Sequence, residues 1–215
     1  MTLLAIDTAR GVTSLAIGRG RTLLASCYDK IPNQQASGLL TLIDDTLNQA
    51  QCSLQEISGI ICSTGPGGFT SVRIGIAVAR GLAFATSIPC HGIASMDIMA
   101  FYMRDSIEED CIFECVIPAG RKDHAVQSFR IIQGRAMAAS SMQLRRNIDI
   151  DDSVTRCSSD DNLGTVIMPQ DLYASTMIRY MTDMNITDYH SPKPLYIRPP
   201  DAIAATPFLK NTSLS

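Results

Sequence analysis

The 215-residue sequence contains no tryptophan and only three histidines, His91, His124 and His190. These are far apart and show neither HxxxH nor HExxH spacing, which argues against a metal site built by one chain. Seven cysteines occur at irregular intervals without a CxxC pair, so a zinc ribbon or redox dithiol is unsupported. Cys62 and Cys90 sit in apolar runs and read as small hydrophobes. A GxSxG nucleophile elbow is absent. Charged residues make up only 18% of the chain and the formal net charge is −3, so the bulk field does not attract nucleic acid. A weak basic group, Arg130, Arg135, Arg145 and Arg146, reads as a solvated face. No segment reaches the ~20 apolar residues of a membrane span. The opening MTLLAIDTA has no basic leader region and reads as a strand, not a signal peptide. The expectation is a cytoplasmic protein with no membrane association.

Hydrophobic residues make up 46% of the chain, enough for one sizeable core or two small lobes. Leu3–Ile6, Thr13–Ile17 and Thr22–Tyr28 read as a strand meander with glycine turns. Leu39, Leu40, Ile43, Leu47 and Ala50 predict a helix over 37–50 with one apolar face. Ile57–Cys62 is a continuous apolar run, as in a covered parallel strand. A helix is expected over 71–84, a strand over 89–93, and a helix from Ser95, acting as N-cap, to Met103. The pattern then restarts with strands at 111–117, 125–132, 135–140 and 166–168. A helix over 171–184 is capped by Asp171, and 153–163 reads as a polar loop. Strands and helices followed by a less regular echo point to two α/β lobes, residues 1–104 and 105–215.

Three motifs could carry chemistry. Asp7 and Thr8 end the first strand, where a carboxylate either faces a metal–phosphate group or bonds local amides. Gly65, Gly67 and Gly68 form a turn that is either an anion-binding nest at a helix N-terminus or a tight strand-to-helix connection. It is not a Walker A loop, since no Gly-Lys-Ser/Thr is present. In the helix that follows, Gly75, Ala79 and Ala83 recur every four residues, and so do Ala77, Gly81 and Ala85. Such rows permit close approach of another element. Each helical glycine costs about 1 kcal/mol relative to alanine, so close packing there is expected, either on the chain's own sheet or on a second subunit with Arg73 and Arg80 at the rim.

The stretch STGPGGFTSVRIGIAVARGLA resembles the signature of the TsaB family, written around GPGSFTGLRIG. The opening LLAIDTA, the helix with Leu39-Leu40, and the tail Pro194-Leu195-Tyr196-Ile197-Arg198 follow the family pattern in order. The resemblance covers residues 1–100 and the tail. It implies the α/β fold of actin-like ATPases and sugar kinases (ASKHA, ribonuclease H-like), with two related lobes, the second degenerate. It also implies a non-catalytic subunit in the synthesis of N6-threonylcarbamoyladenosine next to the tRNA anticodon. Such a subunit pairs with a TsaD catalytic subunit, is joined by a TsaE ATPase, and forms a homodimer when alone. It meets tRNA only through the complex, with ATP and metal on partner subunits and none bound by this chain alone. The implied partner helix carries Val72, Arg73, Gly75, Ile76, Ala79, Arg80 and Ala83. Asp7, Thr8, Gly65, Gly67 and Gly68 are implied to be vestigial phosphate-loop positions. The alternative from the enzyme class is an independent ATPase or small-molecule kinase of the same fold.

Overall fold

The computed structural model describes residues 1–29, 35–120, 122–146, 154–158, 160 and 162–197. The expectation at Arg198 lies outside the described residues. Two sheets share one connectivity. In the first, β1 (Thr2–Asp7), β2 (Thr13–Arg19) and β3 (Thr22–Asp29) form an antiparallel meander. The strands β4 (Gly59–Ser63) and β5 (Cys90–Ile93) then add parallel to β1, giving the order β3-β2-β1-β4-β5. In the second, β6 (Ile112–Pro118) pairs antiparallel with β7 (Asp123–Ile132). The far edge of β7 carries both β8 (Arg135–Ala138) and β9 (Gln143–Arg146). On the other side β10 (Arg156–Ser158) and β11 (Val166–Ile167) add parallel to β6. A central strand, an antiparallel neighbour and two parallel additions therefore recur in the same order, the two-lobed actin-like architecture expected from the resemblance.

The first sheet is covered on both faces, which is why β1 reads as a continuous apolar run. Alternation along the strand sends Leu4 and Ile6 to one side and Leu3 and Ala5 to the other. Leu4 and Ile6 join a cluster with α1 (Gln35–Gln49) and α2 (Phe69–Thr86). Leu3 and Ala5 join a second cluster containing α3 (Ser95–Met103), α4 (Tyr173–Asp183) and the inner face of β6 and β7. In that central layer α4 packs on β1 and β2, while α3 packs on β6, β8 and β10. Leu39, Ile43 and Leu47 of α1 are buried, whereas Leu40, expected on the same face, is exposed.

Several expectations are corrected. Ser95 is the first helical residue of α3; Ala94 is the N-cap and makes no side-chain cap bond. Asp171 lies in a 3-10 turn, Gln170–Leu172, ahead of α4. The supposed loop over 153–163 contains β10, whose Arg156, Cys157 and Ser158 are all buried. An arginine inside a strand reads as polar, but Arg156 donates from Nε to Glu114 Oε2 at 3.0 Å. Arg145 donates to the other oxygen at 2.9 Å. A buried carboxylate between two cations is costly to unbalance. Glu114→Gln is expected to lower unfolding stability by about 3 kcal/mol, as read from urea denaturation.

Candidate functional site

The turn after β4 is shaped by contacts that a side chain would obstruct. Gly65 has φ +91°, a region that glycine enters readily. A Cβ on Gly67 would lie 2.0 Å from the carbonyl oxygen of Ala9. Gly68 donates its N–H to that same oxygen at 2.7 Å. An amide that a phosphate cradle would present is thus bonded to the chain's own β1–β2 connection. Thr8 donates its hydroxyl to the Ser71 carbonyl at 2.7 Å. Gly75 lies against this threonine, so close that an added Cβ would sit 2.3 Å from Thr8 Oγ1. The turn clamps the start of α2 onto the end of β1.

Asp7 is fully buried and faces inward. One carboxylate oxygen pairs with Arg10 Nη2, and the other accepts the Ala9 N–H at 3.4 Å. The Arg10 guanidinium lies 3.0 Å from the Tyr173 ring centroid of α4. Burial pulls the Arg10 pKa down to about 10, opposed by Tyr173 and Tyr28, so it stays a cation at neutral pH. A buried carboxylate requires a countercharge, and here the chain supplies its own. Neither Arg10 nor Tyr173 stands out from sequence. The Asp-x-x-Arg spacing at a strand end is a usable signal for Arg10, but nothing local marks Tyr173. Beside this pair a cleft of about 910 Å³ opens between the lobes, lined by Arg10, Gly11, Tyr28, Gly67, Pro118 and Asn162 among others.

The two small-residue rows of α2 have different fates. Val72, Gly75, Ile76, Ala79 and Ala83 are buried, the four with side chains in the cluster with β1, β4 and α1. Arg73, Ala77, Arg80, Gly81, Phe84 and Ala85 are exposed. Phe84 is 88% exposed, and a Cβ on Gly81 would meet nothing within 4 Å. This corrects the expectation for the partner helix. Of its seven residues only Arg73 and Arg80 lie on the open side, because the row at 75, 79 and 83 is consumed by close packing on the chain's own sheet. Phe84, which is not among those seven, is the most exposed large apolar residue of α2. By length and composition α2 could cross a membrane, yet only 28% of its residues are buried in this chain. Arg73 and Arg80 on the open face would be costly in hydrocarbon.

Comparison with known proteins bears on this geometry. A family model described as TsaD, tRNA N6-adenosine threonylcarbamoyltransferase, matches residues 33–150, more than half of the chain. The tRNA threonylcarbamoyladenosine biosynthesis protein TsaB of Escherichia coli (strain K12) is 36% identical over 100 residues, covering 46% of this chain and 43% of that protein. Its counterpart in Bacillus subtilis (strain 168) is 31% identical over 100 residues, covering 46% and 44%. The chain belongs to the TsaB branch of this family. The matched stretch spans less than half the length of these TsaB relatives. The solved structure of YeaZ from Pseudomonas aeruginosa shares the fold, with TM-score 0.71, 22% identity, and coverage of 91% of this chain and 99% of that one.

The tail of the TsaB pattern, described as far as Ile197, straps across the glycine turn. Leu195 donates its N–H to the Thr64 carbonyl at 2.8 Å. Tyr196 accepts a hydrogen bond at its hydroxyl from Arg73 Nε at 2.6 Å, and its ring lies 5.5 Å from that of Phe69. Upstream, His91 Nδ1 on β5 accepts the His190 N–H at 3.0 Å, which requires a neutral His91. Burial and then the neighbouring His190 push the His91 pKa below 6.5, opposed by Asp188. Because the folded value is the lower one, this contribution to stability is complete above the unfolded pKa of about 6.5 and is lost as pH falls through the folded value. The thermal midpoint is expected to drop as pH falls below about 6.5, and His91→Asn is expected to flatten that drop in a calorimetric scan.

Proposed function

We propose that this chain is a non-catalytic pairing subunit in the synthesis of N6-threonylcarbamoyladenosine in tRNA, docking a TsaD-like catalytic subunit on the open face of α2. The observation that carries this reading is the second small-residue row, Ala77, Gly81 and Ala85, left exposed between Arg73, Arg80 and Phe84. A helix this apolar gains by covering such a face, and small residues let a partner helix approach closely. The same face closes on a second copy when the partner is missing. Asp7 supports an accessory role, because the carboxylate at the strand end is spent on Arg10 inside the fold. ATP and metal then reside on partner subunits, with a TsaE-like ATPase joining the assembly in the cytoplasm. Co-purification tests the reading: the wild-type chain retains the TsaD-like subunit on a column, whereas Phe84→Glu does not while remaining folded. Retention by Phe84→Glu would remove the support.

The interlobe cleft favours a second reading, an independent ATPase or kinase. Calorimetric titration of the isolated chain with Mg-ATP separates the two, since tight binding with turnover belongs only to the enzyme.

A further inference from the structure

Phe69, Arg73, Ala77, Arg80 and Phe84 of α2 recur at intervals of four, four, three and four, so they form a single stripe along the helix. All five are exposed. The stripe carries charge of one sign. The forty residues between Glu56 and Asp97 contain no acid, and their only lysine or arginine residues are Arg73 and Arg80. Seven positions apart, these two stand about 10 Å from each other along the axis and nearly on one line. Among the described residues neither forms an ion pair.

The flanking elements do not neutralise them. On one side Arg80 lines a groove of about 550 Å³ with Gly81, Phe84, Cys90, Tyr189 and Ser191, none of them acidic. The stretch 187–197, which supplies Tyr189 and Ser191, holds one acid, Asp188, against Lys193. Asp188 stands 3.6 Å from His190. Asp44 of α1 lines a separate groove with Leu82. Leu82 is two positions from Arg80 and so lies across the helix from it.

Arg73 is also held ready for a partner. Its guanidinium lies 3.6 Å from the Phe69 ring centroid, and its Nε donates to the Tyr196 hydroxyl at 2.6 Å. These contacts fix the plane of the group and engage one nitrogen. Among the described residues its Nη1 and Nη2 atoms hold no hydrogen bond. A guanidinium fixed flat with both terminal nitrogens open matches the edge of a carboxylate.

We propose that the partner surface covering the open face of α2 is acidic, presenting two carboxylates about 10 Å apart to Arg73 and Arg80. The carboxylate on Arg73 is gripped bidentately, and Tyr196 is the positioning residue that sets the fork. This rests on the docking reading above and names the chemistry of the partner's side.

The test is surface plasmon resonance of the full chain binding its TsaD-like subunit over a series of salt concentrations. Arg73→Gln/Arg80→Gln is expected to weaken binding about tenfold at low salt, mainly through slower association, and to flatten the salt dependence. Arg73→Lys keeps the charge and loses the fork, so it retains the salt dependence and binds about threefold more weakly. Tyr196→Phe costs about threefold in the wild-type background and nothing further once Arg73 is Gln. Arg130→Gln/Arg135→Gln, an equal loss of charge on the second sheet, leaves affinity and salt dependence unchanged. Unchanged binding by a folded Arg73→Gln/Arg80→Gln chain would overturn the acidic partner, and loss of pairing with Gly81→Leu would then keep the docking reading in place. Equal losses in the two double variants would also overturn it, since bulk charge would be the cause. Failure of the wild-type chain to pair at all would remove the docking reading and this inference with it.

Discussion

A Gly81→Leu chain folds at least as well as the wild type and binds its TsaD-like subunit at least about 100-fold more weakly, a loss of roughly 3 kcal/mol. The two halves of this expectation have separate causes. A Cβ at Gly81 meets nothing within 4 Å, so the substitution creates no internal clash. Replacing a helical glycine with a good helix former gains up to about 1 kcal/mol of intrinsic propensity. The same leucine fills the shallow groove along Ala77, Gly81 and Ala85, holding a partner helix away from the backbone. Thermal denaturation and calorimetric titration with the partner read the two effects independently. Unchanged affinity in a folded Gly81→Leu chain would move the docking site off α2.

Gly67→Ala produces the opposite pattern, a loss of stability in the fold itself. The added methyl would lie 2.0 Å from the Ala9 carbonyl oxygen, and that oxygen already accepts the Gly68 N–H at 2.7 Å. A backbone atom cannot rotate away as a side chain does, so the turn must open and release the start of α2. The expected cost is about 3 kcal/mol, the upper part of the overpacking range, or a fall of about 10 °C in melting midpoint for a chain of this size. Gly75→Ala is instructive beside it. There the obstruction is the Thr8 hydroxyl at 2.3 Å, a side-chain atom, so adding Thr8→Ala should recover most of the lost stability. Additive losses in that double-mutant cycle would contradict the contact.

The sequence makes the first lobe readable because its signals are local. The apolar runs of β1 and β4 and the helical spacing of Leu39, Ile43 and Leu47 each depend on neighbours within a few residues. The second lobe hides its short strands. Arg156–Ser158 becomes a buried strand only because Glu114, forty-two residues earlier, supplies a carboxylate. The two small rows of α2 do not by themselves tell which turns inward; Val72 and Ile76 accompany the buried row, and Arg73 and Arg80 the exposed one. Asp7 looks available in sequence and is closed off in the fold by Arg10, whose pairing needs the end of β1, the following turn and Tyr173 of α4 together. Phe84 carries no periodic signal that distinguishes an exposed aromatic from a buried one.

Size-exclusion chromatography of the full chain with its cognate TsaD-like subunit, followed by light scattering, tests the central claim most directly. A stable mixed complex that forms with wild type and is lost with Gly81→Leu is the predicted result. Separate elution of the two wild-type proteins, or a complex that Gly81→Leu leaves intact, would contradict it.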